Sequence, residues 1–297
     1  MTEKHLAVIV LAAGEGTRMK SSKPKVMHEI AGLPLLGHVL STASALGAAH
    51  VIPVIRHERD LIAEYIGTYF SNATCVDQDD QPGTGRAVEC GLDALPSDFN
   101  GAVVVTSGDV PLLEVSTLEA LIEAHVDGGY AVSVLSSIAE DPTGYGRIVR
   151  TADDEFEAIV EHKDATQAQL EIAEVNAGVY VFDSGVLRSA LAEVGAANAQ
   201  GEKYLTDVAA IALRAGHKVQ ALAVEDNWQV AGVNDRVQLA EVSAELNWRI
   251  CEAWMLAGVT IVDPASTWID VTVSLGKDVT LLPGTMLHGV TTVAEGA

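Results

Sequence analysis

The sequence is poor in cysteine, in basic residues and in long apolar runs. Cys75, Cys90 and Cys251 are its only cysteines. They are odd in number, far apart and without CxxC or Cys/His spacing, which excludes a disulfide framework and a structural zinc site. Reduced thiols in a cytoplasmic compartment are expected instead. No apolar run approaches the roughly 18 residues of a membrane span. The opening "MTEKHLAVIV" lacks a cleavage site of small residues and passes straight into a strand-like run, which argues against a signal peptide. Only 18 basic residues stand against 41 acidic ones, for a net charge of −23. Nucleic acid is therefore a poor partner, because phosphate-backbone binding draws on broad basic surface. Apolar residues are plentiful at 48% of the 297, so a sizeable core needs no staples; chains of this size bury roughly three quarters of their unfolded surface.

Against the acidic background, Arg18, Lys20, Lys23 and Lys25 place four basic residues within eight positions. They follow the apolar run "HLAVIVLA" (His5 to Ala12) and the turn "AGEG". The dinucleotide fingerprint is excluded, since Gly14 and Gly16 fit but Met19 stands where the third glycine belongs. A P-loop is excluded too, for want of a Gly-Lys-Ser/Thr triplet. A basic cluster directly after a buried strand and a glycine turn still points to phosphate binding.

The first 130 residues alternate strands and helices. The strands are His5 to Ala12, "HVIPVI", "ATCVDQ" and "GAVVVTSGDVPLL"; the helices fall at Leu35 to Leu46, Arg59 to Phe70 and in "GTGRAVECGLDAL", where Thr84 is a candidate cap. This alternation predicts βαβ units and a mostly parallel sheet. "YAVSVLSSI", "YGRIVR", "FEAIVEH" and "VNAGVYVFD" then read as strands with little helix between them, followed by a helix in "EKYLTDVAAIALRAG" and a strand in "HKVQALAVE". This half is expected to extend the sheet and form one wall of a pocket. A long amphipathic helix is predicted over Asn234 to Gly258, capped by Asn234. Finally Ile269, Leu275, Leu281, Leu287 and Val293 recur every six residues, the hexapeptide period of a parallel β-helix, which buries its core only by stacking coils.

Ligands of parallel α/β sheets sit beyond the carboxyl ends of strands. Two segments meet that condition, the opening loop and Ser107-Gly108-Asp109. An aspartate there suits Mg²⁺, which takes one or two carboxylates plus substrate phosphates, although turn or cap duty explains an isolated "GD" equally well.

Taken together, "LAAGEGTRM", Pro24-Lys25, "GTG" at Gly83 to Gly85 and "SGDVPLL" resemble the sugar-nucleotide pyrophosphorylases. "DPTGYGRIV", "IVEHKDAT", "EVNAGVYVF", "NAQGEKYLTD" and "VAGVNDRVQLAE", in that order, narrow the resemblance to bifunctional bacterial N-acetylglucosamine-1-phosphate uridyltransferase/glucosamine-1-phosphate acetyltransferases. The resemblance implies a Rossmann-like nucleotidyltransferase domain with a mixed sheet at residues 1–233, a linker helix at 234–258 and, at 259–297, the truncated start of a left-handed β-helix. It implies transfer of UMP from UTP to N-acetylglucosamine 1-phosphate with Mg²⁺, giving UDP-N-acetylglucosamine for peptidoglycan synthesis. The acetyltransferase activity and the homotrimer of the family are expected to need β-helix coils beyond these; whether this cytoplasmic chain is monomeric or still self-associates through the coils it has is left open.

By the same resemblance Leu11, Ala12, Ala13, Gly14, Gln78, Gly83 and Thr84 meet the uridine, and Ser107 and Gly108 line the same site. Arg18 holds the triphosphate, Lys25 bridges the reacting phosphates, and Asp109 and Asn234 bind the metal. Gly146, Glu161 and Asn176, with Tyr204 and Thr206, meet the sugar or ribose. Physically, an amide such as Gln78 offers both a donor and an acceptor, and the guanidinium fork suits phosphate oxygens. Lys20 and Lys23 read as solvated neighbours, and His28 and His162 carry no assigned role. Some family members have Tyr where Ser107 stands, so tuned affinity is expected there. Two alternatives keep the fold: another sugar-1-phosphate nucleotidyltransferase, such as a glucose-1-phosphate thymidylyltransferase, or a non-catalytic regulatory subunit. The latter would be expected to lose Arg18, Lys25 or Asp109, and all three are present.

Overall fold

A computed structural model describes residues 6–297; His5, the first residue of the expected opening strand, lies outside them. The chain starts with β1 (Leu6–Ala12), two single-turn 3₁₀ segments at Thr17–Met19 and Lys25–Met27, and a short ribbon of β2 (Glu29–Ile30) and β3 (Leu33–Pro34). α1 (Leu35–Ala45), β4 (His50–Ile55), α2 (Arg59–Tyr69), β5 (Val76–Asp77), α3 (Thr84–Asp93), β6 (Ala102–Ser107) and α4 (Val115–Gly128) follow. Next come β7 (Val132–Ile138), β8 (Arg147–Arg150), β9 (Phe156–Val160), α5 (Gln167–Leu170), β10 (Glu174–Asp183), α6 (Ser184–Glu193), α7 (Asp207–Arg214) and β11 (Val219–Ala223). α8 (Arg236–Leu256) leads into six two-residue strands, β12 (Thr260–Ile261), β13 (Trp268–Ile269), β14 (Ser274–Leu275), β15 (Thr280–Leu281), β16 (Met286–Leu287) and β17 (Thr292–Val293). No helix among the described residues is long and apolar enough to cross a membrane.

The chain divides into two compact units, one comprising Met1–Glu15 with Val39–Ala231 and the other Gly16–His38 with Gly232–Ala297. The first is built on a sheet ordered β11-β7-β10-β6-β1-β4-β5, with β8 and β9 branching from β10. β1 pairs in parallel with both β4 and β6, as buried apolar runs do. All of β1 but Leu11 is buried. β10 runs antiparallel to β6 and β7, so the second half extends the sheet as a mixed one. One face of the sheet carries Ile9, Val103 and Val105 against Val88 and Leu92 of α3, Leu187 and Leu191 of α6, and Val208 and Ala212 of α7. α3 sits so close that a Cβ on Gly91 would lie 2.9 Å from Ile9.

Three local expectations change. α6, capped by the Asp183 carboxylate accepting from Val186 N, follows the strand "VNAGVYVFD" in a stretch where no element was expected. Its Ser-Gly opening, directly after a strong strand signal, hid it. The helix expected across "EKYLTDVAAIALRAG" begins only at Asp207, because residues 203–205 bond elsewhere. Thr84 is the first residue of α3 and caps nothing; the flanking position is Gly83, and the Thr84 hydroxyl accepts from Leu205 N at 3.1 Å.

In the second unit, β13 pairs in parallel with β16 and β14 with β17, each 18 residues on. Three six-residue steps thus make one coil. Ile269, Leu275 and Leu281 are buried with Val259, Ile261, Val273, Val279 and Cys251 of α8, while Leu287 and Val293 pack at the edge. Asn247 of α8 is clasped to the first coil. Its amide donates to Thr267 O at 2.7 Å and accepts from Ile269 N at 3.1 Å. The three cysteines are free thiols.

Candidate nucleotide and sugar-phosphate site

In the first unit, the parallel register aligns Leu11 with Ser107. Beyond it Gly108 N donates to Leu11 O at 2.9 Å. The two carboxyl ends are thereby tied together, so the start of the glycine turn and Ser107-Gly108-Asp109 stand side by side. Asp109 is 8% exposed. A Cβ on Gly14 would meet nothing within 4 Å, so the absence of a side chain there leaves open space that the protein does not fill.

Gln78 spends its amide N–H groups inside its own loop, donating to Gln81 O at 3.0 Å and Gly83 O at 3.3 Å. Among the described residues the amide oxygen has no partner, so Gln78 presents an acceptor rather than the donor–acceptor pair expected from the amide alone. Gly83 has φ +118°, and a Cβ there would lie 2.4 Å from Lys203 O. One on Gly85 would lie 2.9 Å from the same oxygen. The "GTG" glycines therefore make room for the backbone of residue 203, which no local reading of the motif reveals.

The expected sugar residues come together. A Cβ on Gly146 would lie 3.6 Å from Glu161 Oε2 and 3.7 Å from Asn176 Cβ, and Asn176 N donates to Gly146 O at 2.8 Å. Asn176 is held by its own contacts: Nδ2 donates to the Tyr180 hydroxyl at 2.7 Å and Oδ1 accepts from Gly178 N at 3.0 Å. The Thr206 hydroxyl donates to Glu161 Oε1 at 3.0 Å. Burial raises the Glu161 carboxyl above its ordinary value; the Thr206 bond opposes this, and Asp207 and Asp164 add to it. Beside this cluster a cavity of about 420 Å³ is lined by Glu161, Asp164, Asn198, Tyr204 and Asp207 among others. Gly146 and Asn176 are not in its wall.

The rest of the basic loop belongs to the second unit. Gly16 has φ +66°, and a Cβ on it would lie 2.5 Å from Lys25 Cβ. Only glycine permits both the left-handed turn and that approach. Met19 is fully buried in a 3₁₀ turn, and Arg236 Nε holds its carbonyl at 3.1 Å. A side chain thus anchors the loop where a dinucleotide fold would open a helix. Asn234 Oδ1 accepts from Arg18 Nη2 at 2.9 Å and from Lys25 Nζ at 3.3 Å. It does not cap α8: Asp235 does, accepting from Val237 N and Gln238 N, both at 2.9 Å. The expected cap was one residue early, and the Asn234 oxygen is taken by Arg18 and Lys25 instead. Lys23 pairs with Glu29 at 2.9 Å. His28 is buried and held below its ordinary pKa first by burial, then by Arg236 and Lys23.

Residues 8–206 match the model of the MobA-like NTP transferase domain. The chain belongs to the MobA-like NTP transferase family. The chain is 57% identical over 292 residues to "Bifunctional protein GlmU" of Clavibacter sepedonicus, which covers 98% of the chain and 59% of that protein. It is 56% identical over 297 residues to the protein of the same name from Leifsonia xyli subsp. xyli, covering 100% of the chain and 61% of the relative. The chain thus spans about six-tenths of the length of these curated relatives. Its fold is also that of the 4-diphosphocytidyl-2C-methyl-D-erythritol synthase of Anaerococcus prevotii, at a TM-score of 0.58 and 18% identity, over 82% of this chain and 99% of that one.

Proposed function

We propose that this protein is a UDP-N-acetylglucosamine diphosphorylase, moving UMP from UTP to N-acetylglucosamine 1-phosphate and releasing pyrophosphate. The observation that carries this reading is the Leu11–Gly108 junction, which joins the glycine turn to Ser107-Gly108-Asp109 at adjacent strand ends. Leu11, Ala12, Ala13 and Gly14 would meet the base with Gln78, Gly83 and Thr84. The open Gln78 oxygen suits the N3–H of uracil. Gly146, Glu161 and Asn176 would hold the sugar.

Chemically, a phosphate oxygen of the sugar phosphate attacks the α-phosphorus of UTP. The new P–O bond forms as the bond to pyrophosphate breaks, in line. The monoester is largely ionised at neutral pH, so neither a side-chain nucleophile nor a strong base is needed. The difficulty is anion meeting anion, and Arg18 and Lys25 would offset it by holding phosphate oxygens. Asp109 and Asn234 would offer Mg²⁺ hard oxygen donors, with Arg18 and Lys25 giving up the Asn234 oxygen to hold phosphate. When bound there, the cation would neutralise phosphate charge and favour the in-line geometry. The acetyltransferase reaction is not proposed for residues 1–297.

Phosphorus-31 NMR of UTP with N-acetylglucosamine 1-phosphate and Mg²⁺ tests this reading. Equal amounts of pyrophosphate and a UDP-sugar are expected, with little turnover of dTTP or of glucose 1-phosphate. Preferred turnover of either swap would move the assignment to another nucleotidyltransferase.

A further inference from the structure

Lys203 is 9% exposed and lies far in sequence from the loop it touches. Its ammonium pairs with Glu89 Oε1 of α3. Glu89 Oε2 accepts from Arg86 Nη1 at 3.1 Å. Arg86 reaches Asp79 Oδ2 with Nη2 at 2.7 Å and Nε at 3.0 Å. Four charges of alternating sign thus form one chain. One end, Asp79, is the residue after Gln78. The other, Lys203, is the residue before Tyr204.

The backbone follows the same path. Gly85 N donates to Lys203 O at 2.8 Å, Lys203 N to Pro82 O at 3.4 Å, and Leu205 N to the Thr84 hydroxyl at 3.1 Å. One residue further on, Thr206 donates to Glu161. Residues 203–206 therefore touch the base-reading loop on one side and the sugar-side carboxylate on the other. Displacing this strap at one side would pull on the other, because the Gly85–Lys203, Lys203–Pro82 and Leu205–Thr84 bonds hold it to the loop. An ion pair as covered as Lys203–Glu89 is also less screened than surface pairs are.

We propose that the Asp79–Arg86–Glu89–Lys203 chain is a positioning device that couples nucleotide binding to sugar-phosphate binding. This rests on the reaction proposed above. None of the four side chains is placed against substrate; they set the register between the base loop and the strap. The ligand classes that sense each other are a uridine nucleotide and a hexosamine 1-phosphate.

The test is calorimetric titration of UDP, which cannot react, with and without saturating N-acetylglucosamine 1-phosphate. Wild type is expected to bind UDP at least about 5-fold more tightly with the sugar phosphate present, at the lower edge of typical allosteric coupling. Lys203→Met should bring that factor below about 2 while changing the affinity for UDP alone by less than about 3-fold. Lys203→Arg, which keeps the charge, should keep at least half of the wild-type factor. The double variant Glu89→Gln/Lys203→Met, with no unpaired charge at that joint, should match Lys203→Met in a double-mutant cycle and serves if the single variant misfolds. A wild type with no coupling, or a Lys203→Met protein with the full factor, would overturn the inference. UDP-sugar synthesis by the same wild-type protein decides the reaction separately, so the two readings fail independently.

Discussion

Asn234 and Asp235 stand next to each other and do different work. Asp235 closes the first turn of α8 through two backbone N–H groups, whereas the Asn234 oxygen gathers Arg18 and Lys25. Asn234→Ala is expected to lower kcat/KM by about 100-fold, the upper range for losing a metal-site group, with an unchanged melting temperature. Asp235→Ala should cost roughly 1 kcal/mol of stability, as lost N-caps do, while keeping most of its activity. Thermal melts and initial rates of the pair separate the two roles. Glu161 makes a second contrast. Its folded pKa is raised by burial, so its stabilising share is full below the unfolded carboxylate value and is lost as pH rises through the folded one. At neutral pH the buried charge is a cost. Glu161→Gln should therefore be more stable by roughly 1 kcal/mol at pH 7, in the range of other stabilising changes, yet bind the sugar phosphate more weakly. Denaturant titrations at several pH values, alongside KM for the sugar phosphate, would read both effects.

At the level of elements, the sheet does little chemistry but sets where turns end. β1 and β6 were legible because their apolar runs are continuous and end in glycine turns. The hexapeptide coil was legible because Ile269, Leu275 and Leu281 keep a strict period. What escaped reading depended on partners far along the chain. The Thr84 hydroxyl meets Leu205, 121 residues away, and nothing in "GTG" announces that neighbour. Asn234 was given the cap because Asn and Asp are equally good caps, and which of two adjacent residues meets the helix N–H groups is set by the fold, here Asp235. Lys203 and Glu89 sat inside quoted motifs without a visible relation. The Gly83–Lys203 contact carries a prediction at this scale. Gly83→Ala meets both a positive φ and a backbone oxygen at 2.4 Å. It should destabilise the protein by roughly 1–3 kcal/mol, as strained backbone positions do, and weaken binding of both substrates. Loss of UTP affinity alone would show the strap to be uncoupled from the loop.

For the whole molecule, acid is the condition that discriminates. His125 lies 4% exposed, with Nδ1 3.0 Å from the Ser133 hydroxyl, and burial pushes its pKa down to about 4 from 6.5. The unfolded chain binds this proton more readily between those values, so the stability it supports is present above about pH 6.5 and lost as pH falls through about 4. Up to roughly 3 kcal/mol is at stake at 1.36 kcal/mol per pKa unit. Unfolding free energies of wild type and His125→Gln across that window should diverge at neutral pH and converge in acid. Parallel curves would contradict the assignment. Candidate residues were legible at the strand ends of the first unit and in the basic loop of the second, where residue type marks them, and least legible where contacts are set by which carbonyl or carboxylate lies across a turn.

The measurement that bears most directly on the account is the initial rate of pyrophosphate release from UTP and N-acetylglucosamine 1-phosphate. Wild type and Asp109→Ala would be run together, with Mg²⁺ and then with EDTA. The account predicts rapid release by wild type that needs Mg²⁺, and a loss of at least about 100-fold in Asp109→Ala, the scale of a lost metal ligand or its support. No release by a folded wild-type chain, or equal rates from the two proteins, would contradict it.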